Sequence, residues 1–146
     1  MPSKPRRPTV GWREWVGLPE LGIPAIKVKV DTGARSSALH AFDIVKREDA
    51  TGTWVEFEVH PLQRNRRFTV RARAPLVDER WVRSSSGKRT FRPVIATRLV
   101  LGELSWPIEL TLVRRDLMGF RMLVGREALR RRLLVDPGRS FLLGKR

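Results

Sequence analysis

The chain has 146 residues, enough for one ordinary core and too few for two. A hydrophobic content of 41% excludes a disordered chain, and the absence of cysteine excludes disulfides and thiolate metal sites. Thirty Lys and Arg against fifteen Asp and Glu give a formal charge of +15, a field that draws in polyanions: nucleic acid, ribosome, anionic lipid or an acidic peptide.

Residues 1–9 are basic and proline-rich and are expected to form a flexible arm, followed by a single domain over residues 10–146. No apolar segment follows the arm, and no run reaches the length of a membrane span. The expectation is therefore no signal, no anchor, no membrane partner and a cytoplasmic location, which a cysteine-free chain suits. Residues 10–16 read as a strand, turned by Gly17-Leu18-Pro19. Ile26, Val28 and Val30 alternate with Lys27 and Lys29, the period of a half-buried strand, and run into Asp31-Thr32-Gly33. Residues 37–45 return as a strand, and the polar stretch 46–52 is a hairpin-type connection.

Val55, Phe57 and Val59 share one strand face. A loop over 61–67 leads to a partner strand with Phe68, Val70 and Ala72. Residues 81–83 and 90–92 flank Ser84-Ser85-Ser86-Gly87, which reads as a hairpin tip, since Ser and Gly permit tight turns. Strands follow at 94–95, 99–101 and 106–113, the last aligning Ile108, Leu110 and Leu112. A short helix is expected over 127–134, with Leu129 and Leu133 on one face and Arg130, Arg131 and Arg132 outward, stopped by Asp136-Pro137-Gly138. Residues 140–143 read as a terminal strand. Many short strands and one helix predict an all-β, closed or partly closed fold.

Taken alone, Asp31-Thr32-Gly33 reads as an ordinary turn after a strand, with Gly33 allowing a bend that a side chain would obstruct. A second stretch changes that reading: Phe120 to Leu129 is an apolar strand, then Gly125-Arg126, then a helix start. Together the two resemble the retropepsin-like aspartic peptidases, over most of the chain. The fuller run from Asp31 through His40, with Arg92-Pro93-Val94 and Val124-Gly125-Arg126, is similar to one bacterial branch. Its members are often labelled ATP-dependent zinc proteases, and it includes RimB-type proteins associated with RimK-type glutamate ligases.

The resemblance implies a retropepsin-like closed β-barrel, the acid protease fold, in a homodimer knitted by its chain ends. It implies Asp31, Thr32 and Gly33 as the catalytic loop, with Thr32 bracing across the dimer axis. Ala34, Gly125 and Arg126 would support that loop, and the tip around residues 84–87 would be the flap. Hydrolysis by this class needs two carboxylates sharing one proton, one acting as general base for water and the other donating to the scissile carbonyl. The sequence holds one Asp-Thr-Gly, so the pair can arise only from Asp31 of two subunits on a twofold axis.

One departure stands out. Retroviral members place an aspartate after Asp-Thr-Gly-Ala to pair with the helix-start arginine; here Arg35 stands there, so Arg126 needs another carboxylate, with Glu127 a candidate. Arg35, with Arg83, Ser84, Ser85, Ser86, Gly87, Lys88 and Arg89 at the flap, would select acidic side chains if all face the cleft; the alternative is solvated surface charge. The link to glutamate ligases points to poly-α-glutamate tails, as on a ribosomal protein, with the ligase or the ribosome as further partners. Neither word of the family label finds support. There are two histidines, His40 and His60, with no His-Glu-x-x-His and no Gly-x-x-x-x-Gly-Lys loop. No metal or cofactor is expected, and His40 reads as a core histidine. The competing function is a non-catalytic basic module on ribosome or RNA that keeps a protease-like fold.

Overall fold

The computed structural model describes residues 7–62, 68–83, 87–114, 117 and 119–144. In chain order the elements are β1 (Thr9–Val10), β2 (Arg13–Leu18), a one-turn 3-10 helix (Pro19–Leu21), β3 (Ile23–Asp31), β4 (Ser37–His40), β5 (Phe42–Asp49) and β6 (Gly52–Val59). Then come β7 (Val70–Arg83), β8 (Arg89–Leu101), β9 (Leu104–Val113), β10 (Met122–Gly125), α1 (Arg126–Leu129) and β11 (Leu134–Val135). The fold is all-β, as the sequence predicts. Six strands in the order β2-β3-β10-β4-β9-β8 close into a barrel, because β8 also pairs with β2 at Gly17 and Val100. From β8, strands β7, β6 and β5 extend as a sheet beyond the barrel.

Alternation explains the barrel core. Ile26, Val28 and Val30 of β3 are buried between half-exposed lysines. Trp106, Ile108, Leu110 and Leu112 of β9 point the same way, and Leu129 and Leu133 close one end. In the extension, Val55, Phe57 and Val59 are buried as the sequence predicts, while β5 is mostly exposed.

Several expected boundaries shift for physical reasons. Thr9, placed in the arm, pairs with Leu134 in β1, and residues 1–6 lie outside the described set. The strand expected over 10–16 breaks at Gly11. The strand over 37–45 breaks at the fully buried Ala41, whose N–H bonds the Val113 carbonyl. Residues 70–83 form one strand, not two. Its first half pairs with β6 and its second with β8, around an irregularity between Leu76 and Asp78. The separate strands expected at 90–92, 94–95 and 99–101 are one, β8. The helix expected over 127–134 is a single turn. Leu133 still bonds back to the Leu129 carbonyl, but Arg131 takes a left-handed φ of 65° and turns the chain into β11.

The largest departure is at the C-terminal end. Residues 140–143 are not a strand. They cross β2 of their own chain, held by Glu14, which is fully buried. Glu14 Oε2 accepts the N–H groups of Gly11 (2.6 Å) and Leu142 (2.9 Å), and Oε1 those of Leu143 (3.0 Å) and Gly144 (2.7 Å). Gly144 must lack a side chain, since a Cβ would stand 1.8 Å from the Trp15 carbonyl oxygen. The segment expected as a terminal strand is thus fastened to β2 of its own chain.

Candidate active site

The loop at the end of β3 is set by three strands. Chain order would make β3 and β4 neighbours, but β10, from far later in the sequence, inserts between them. It runs parallel to β3 and antiparallel to β4. This register places Gly125 directly beside Asp31. The approach is close: a Cβ on Gly125 would lie 2.5 Å from the Ser36 carbonyl oxygen and 2.9 Å from that of Ala34, so only glycine fits.

Hydrogen bonds then pin the loop. Gly33 N–H donates to Asp31 Oδ1 (3.0 Å), and Ala34 N–H to the Asp31 carbonyl (3.2 Å). The first turn of α1 is caught in the same knot, Arg126 N–H bonding Ala34 O (2.8 Å) and Glu127 N–H bonding Arg35 O (3.1 Å). Buried Ser37 ties the three strands: its hydroxyl accepts Gly125 N–H (3.0 Å), and its carbonyl accepts the Thr111 hydroxyl (3.2 Å). Asp31 is left half-buried, with Thr32 and Gly33 exposed beside it. Such a carboxylate is rigidly held on the backbone side and open to reactants on the other.

The partner expected for Arg126 differs. Its Nη1 donates to the Gly33 carbonyl (3.2 Å), bracing the loop directly. Glu127 instead lies 3.8 Å from Arg35 Nε and 3.8 Å from Arg130 Nη2. The arginine that replaces the expected aspartate therefore takes up the acid at the helix start.

Beside the loop lies a cavity of about 930 Å³, starting at Ala34 and running under the β7–β8 arms to α1. Asp31 itself is not in its wall. Among the described residues five arginines line it, Arg35, Arg80, Arg83, Arg92 and Arg132, against two acids, Glu109 and Glu127. Of the residues expected to bind substrate, Arg35 and Arg83 line the cavity. Gly87, Lys88 and Arg89 do not, and Arg89 lies over the exposed Trp81 ring (5.1 Å). Ser84, Ser85 and Ser86 lie outside the described residues.

Arg80, Arg92 and Arg132 are not expected at the cavity from the sequence, where Arg92 stands only within a motif and Arg132 as an outward arginine. Arg80 is fastened to Asp78 (2.6 Å) and Glu109 (2.9 Å), which hold its guanidinium pKa above the ordinary arginine value, the Asp78 hydrogen bond leading. Arg92 is buried, its Nε donating to Thr90 Oγ1 (2.9 Å). In β8 Phe91 is exposed and Arg92 buried, an inversion that the structure reveals.

Among the described residues no group of three or more His, Cys, Asp or Glu could hold a metal ion, and no helix is long and apolar enough to cross a membrane. His40 is buried, its Nδ1 3.1 Å from Arg121 Nη1, and stacks on Phe42, which in turn stacks on His60. His60 Nδ1 lies 3.1 Å from Thr69 Oγ1. Neither histidine lines the cavity.

The fold has a solved counterpart. A crystal structure from Legionella pneumophila, of a protein of unknown function, superposes with a TM-score of 0.75 at 25% identity, covering 94% of this chain and 98% of that one. A protein of Parasynechococcus marenigrum named probable alpha-L-glutamate ligase is 54% identical over 139 residues, and one of Desulfotalea psychrophila with the same name is 50% identical over 136. These stretches are 95% and 93% of this chain but 30% and 29% of those proteins, so the chain spans under a third of the curated relatives it matches. Residues 9–146 match the family described as RimB-like, retropepsin-like aspartic endopeptidase RimB. The chain belongs to that family.

Proposed function

We propose that two copies of this chain form an aspartic endopeptidase whose paired Asp31 carboxylates hydrolyse peptide bonds in poly-α-glutamate or similarly acidic segments. The observation that carries the chemistry is the Asp31 loop, locked by Gly125, Ser37 and Arg126 yet open at its carboxylate. A single chain supplies one such acid, so the second comes from an identical subunit across a twofold axis. There the two carboxylates lie too close for both to ionise. One takes a proton from water as it attacks the scissile carbonyl; the other gives its proton to the carbonyl oxygen. Thr32, exposed beside Asp31, would brace the pair across that axis.

The substrate class rests on charge and on company. Among the described residues, five arginines against two acids give the neighbouring cavity a positive lining suited to carboxylates. The curated relatives are about three times the length of the shared segment and are named glutamate ligases. We assign the ligase activity to their remainder. A peptidase in the same polypeptide would meet α-linked glutamate as that ligase's product.

The deciding experiment incubates α-linked oligoglutamates and neutral control peptides with the protein and with Asp31→Asn. Cleavage of oligoglutamate that Asp31→Asn abolishes is expected; cleavage that survives the substitution removes the aspartic reading. The net charge favours the second reading, a basic RNA-binding module, and lack of RNA binding at low salt would dismiss it.

A further inference from the structure

Arg132 reads from the sequence as one of three outward-facing arginines on a helix. The turn after α1 changes its position. The helix stops at Leu129, Arg131 adopts φ 65°, and Arg132 N–H closes back on the Leu129 carbonyl (3.0 Å). Arg132 is thereby carried onto the Trp106 ring, its guanidinium carbon 5.5 Å from the centroid, where it lines the cavity. Trp106 is buried, and its indole N–H donates to the Ala128 carbonyl (3.0 Å).

The other cavity arginines are differently occupied. Arg80 is held by two carboxylates and Arg35 lies near Glu127. Arg92 is buried and donates to Thr90. Arg83 makes no ion pair among the described residues, and no ring contact orients it there. Arg132 likewise makes no ion pair among the described residues, but it lies over the Trp106 ring. A planar cation fixed on an aromatic face with its N–H edge unspent is a preorganised receptor for a carboxylate.

We propose that Arg132, stacked on Trp106, is a specificity-determining residue that receives a substrate side-chain carboxylate at the end of the cavity next to α1. This rests on the acidic-peptidase reading above and names one subsite of it. The guanidinium supplies two parallel N–H donors to one carboxylate, so a glutamate is favoured there over a glutamine of the same shape.

The test measures binding of α-linked hexaglutamate and hexaglutamine to Asp31→Asn protein at fixed salt, by calorimetry, so that no turnover is required. Arg132→Gln should weaken hexaglutamate binding by about tenfold, leave hexaglutamine unaffected, and leave the melting temperature unchanged. Arg132→Lys should recover only part, since an ammonium keeps the charge without the fork. Arg130→Gln is the control: it removes the same charge two residues away, from a side chain outside the cavity, and should change binding by less than about twofold. Equal losses for the two variants would mean a diffuse charge field, and no loss would mean no subsite; either overturns the proposal. Absence of hexaglutamate binding to the Asp31→Asn protein also overturns it. The catalytic reading is judged separately, by whether cleavage of α-linked oligoglutamate is lost with Asp31→Asn while Arg132 is intact.

Discussion

Two carboxylates on neighbouring strands of the barrel have opposite fates. Glu14, in β2, is fully buried and saturated by four backbone N–H groups, so it has no lone pair left for chemistry. Asp31, one strand away at the end of β3, keeps an open face and accepts one N–H, from Gly33. Both depend on glycines that let backbone close in, Gly144 for Glu14 and Gly125 for Asp31. The same device thus makes a clasp in one place and a reactive group in the other. The difference lies in whether the chain closes over the acid or beside it.

Replacing each acid by its amide should separate those roles. Asp31→Asn keeps the size and the N–H acceptor, so the fold should persist with an unchanged melting temperature. Cleavage should fall by about a thousandfold or more, because an amide can neither take the proton from water nor share one with its twin. A variant that loses activity only by unfolding would place Asp31 with Glu14 as a structural acid. Glu14→Gln should do the reverse: its NH₂ would face N–H donors that now meet carboxylate oxygen, at a cost of about 3 kcal/mol in chemical denaturation. Activity per folded molecule should survive. Retained stability would show that the C-terminal segment is not fastened by this acid.

Gly125→Ala tests the site's half of the contrast. Its new methyl would press on the Ser36 and Ala34 carbonyls, costing about 2 kcal/mol and shifting the Asp31 loop. Catalysis should fall further than stability alone explains, read as kcat per folded molecule. Wild-type kcat in a destabilised variant would mean that the loop does not need this close packing.

The two regions were not equally legible. The catalytic loop could be read because its chemistry is local: Asp31, Thr32 and Gly33 are consecutive, and the strand before them alternates cleanly. The Gly125-Arg126 stretch added the partner strand. The Glu14 clasp joins residues about 130 positions apart through backbone donors, and backbone N–H groups leave no mark in a sequence. The terminal strand was therefore expected from its apolar residues, when a buried carboxylate had already bent that segment into loops. The arginines of the cavity divide the same way. Arg35 and Arg83 lie next to motifs, whereas Arg132 reaches the cavity only because the helix stops one turn in and Arg131 goes left-handed. Side-chain periodicity assumes regular elements, and it fails where an element ends early.

A third carboxylate marks the lower limit of the comparison. Asp49, at the β5–β6 turn, is fully exposed yet accepts the Thr51 hydroxyl, the Thr51 N–H (2.8 Å) and Arg73 Nη2 (2.7 Å). The Thr51 hydrogen bonds, hydroxyl first, and then Arg73 lower its pKa from 3.8 to about 2. A folded pKa below the unfolded one adds stability that is complete above about pH 4 and is lost as pH falls toward 2. Asp49→Asn should therefore lower the melting temperature slightly at neutral pH, with the gap to wild type closing between pH 4 and 2. Solvent screening keeps the effect the smallest of the four. A gap that stayed constant with pH would mean the turn is held by shape rather than charge. Asp49 has donors without burial, Glu14 has both, and only Glu14 should decide whether the chain folds.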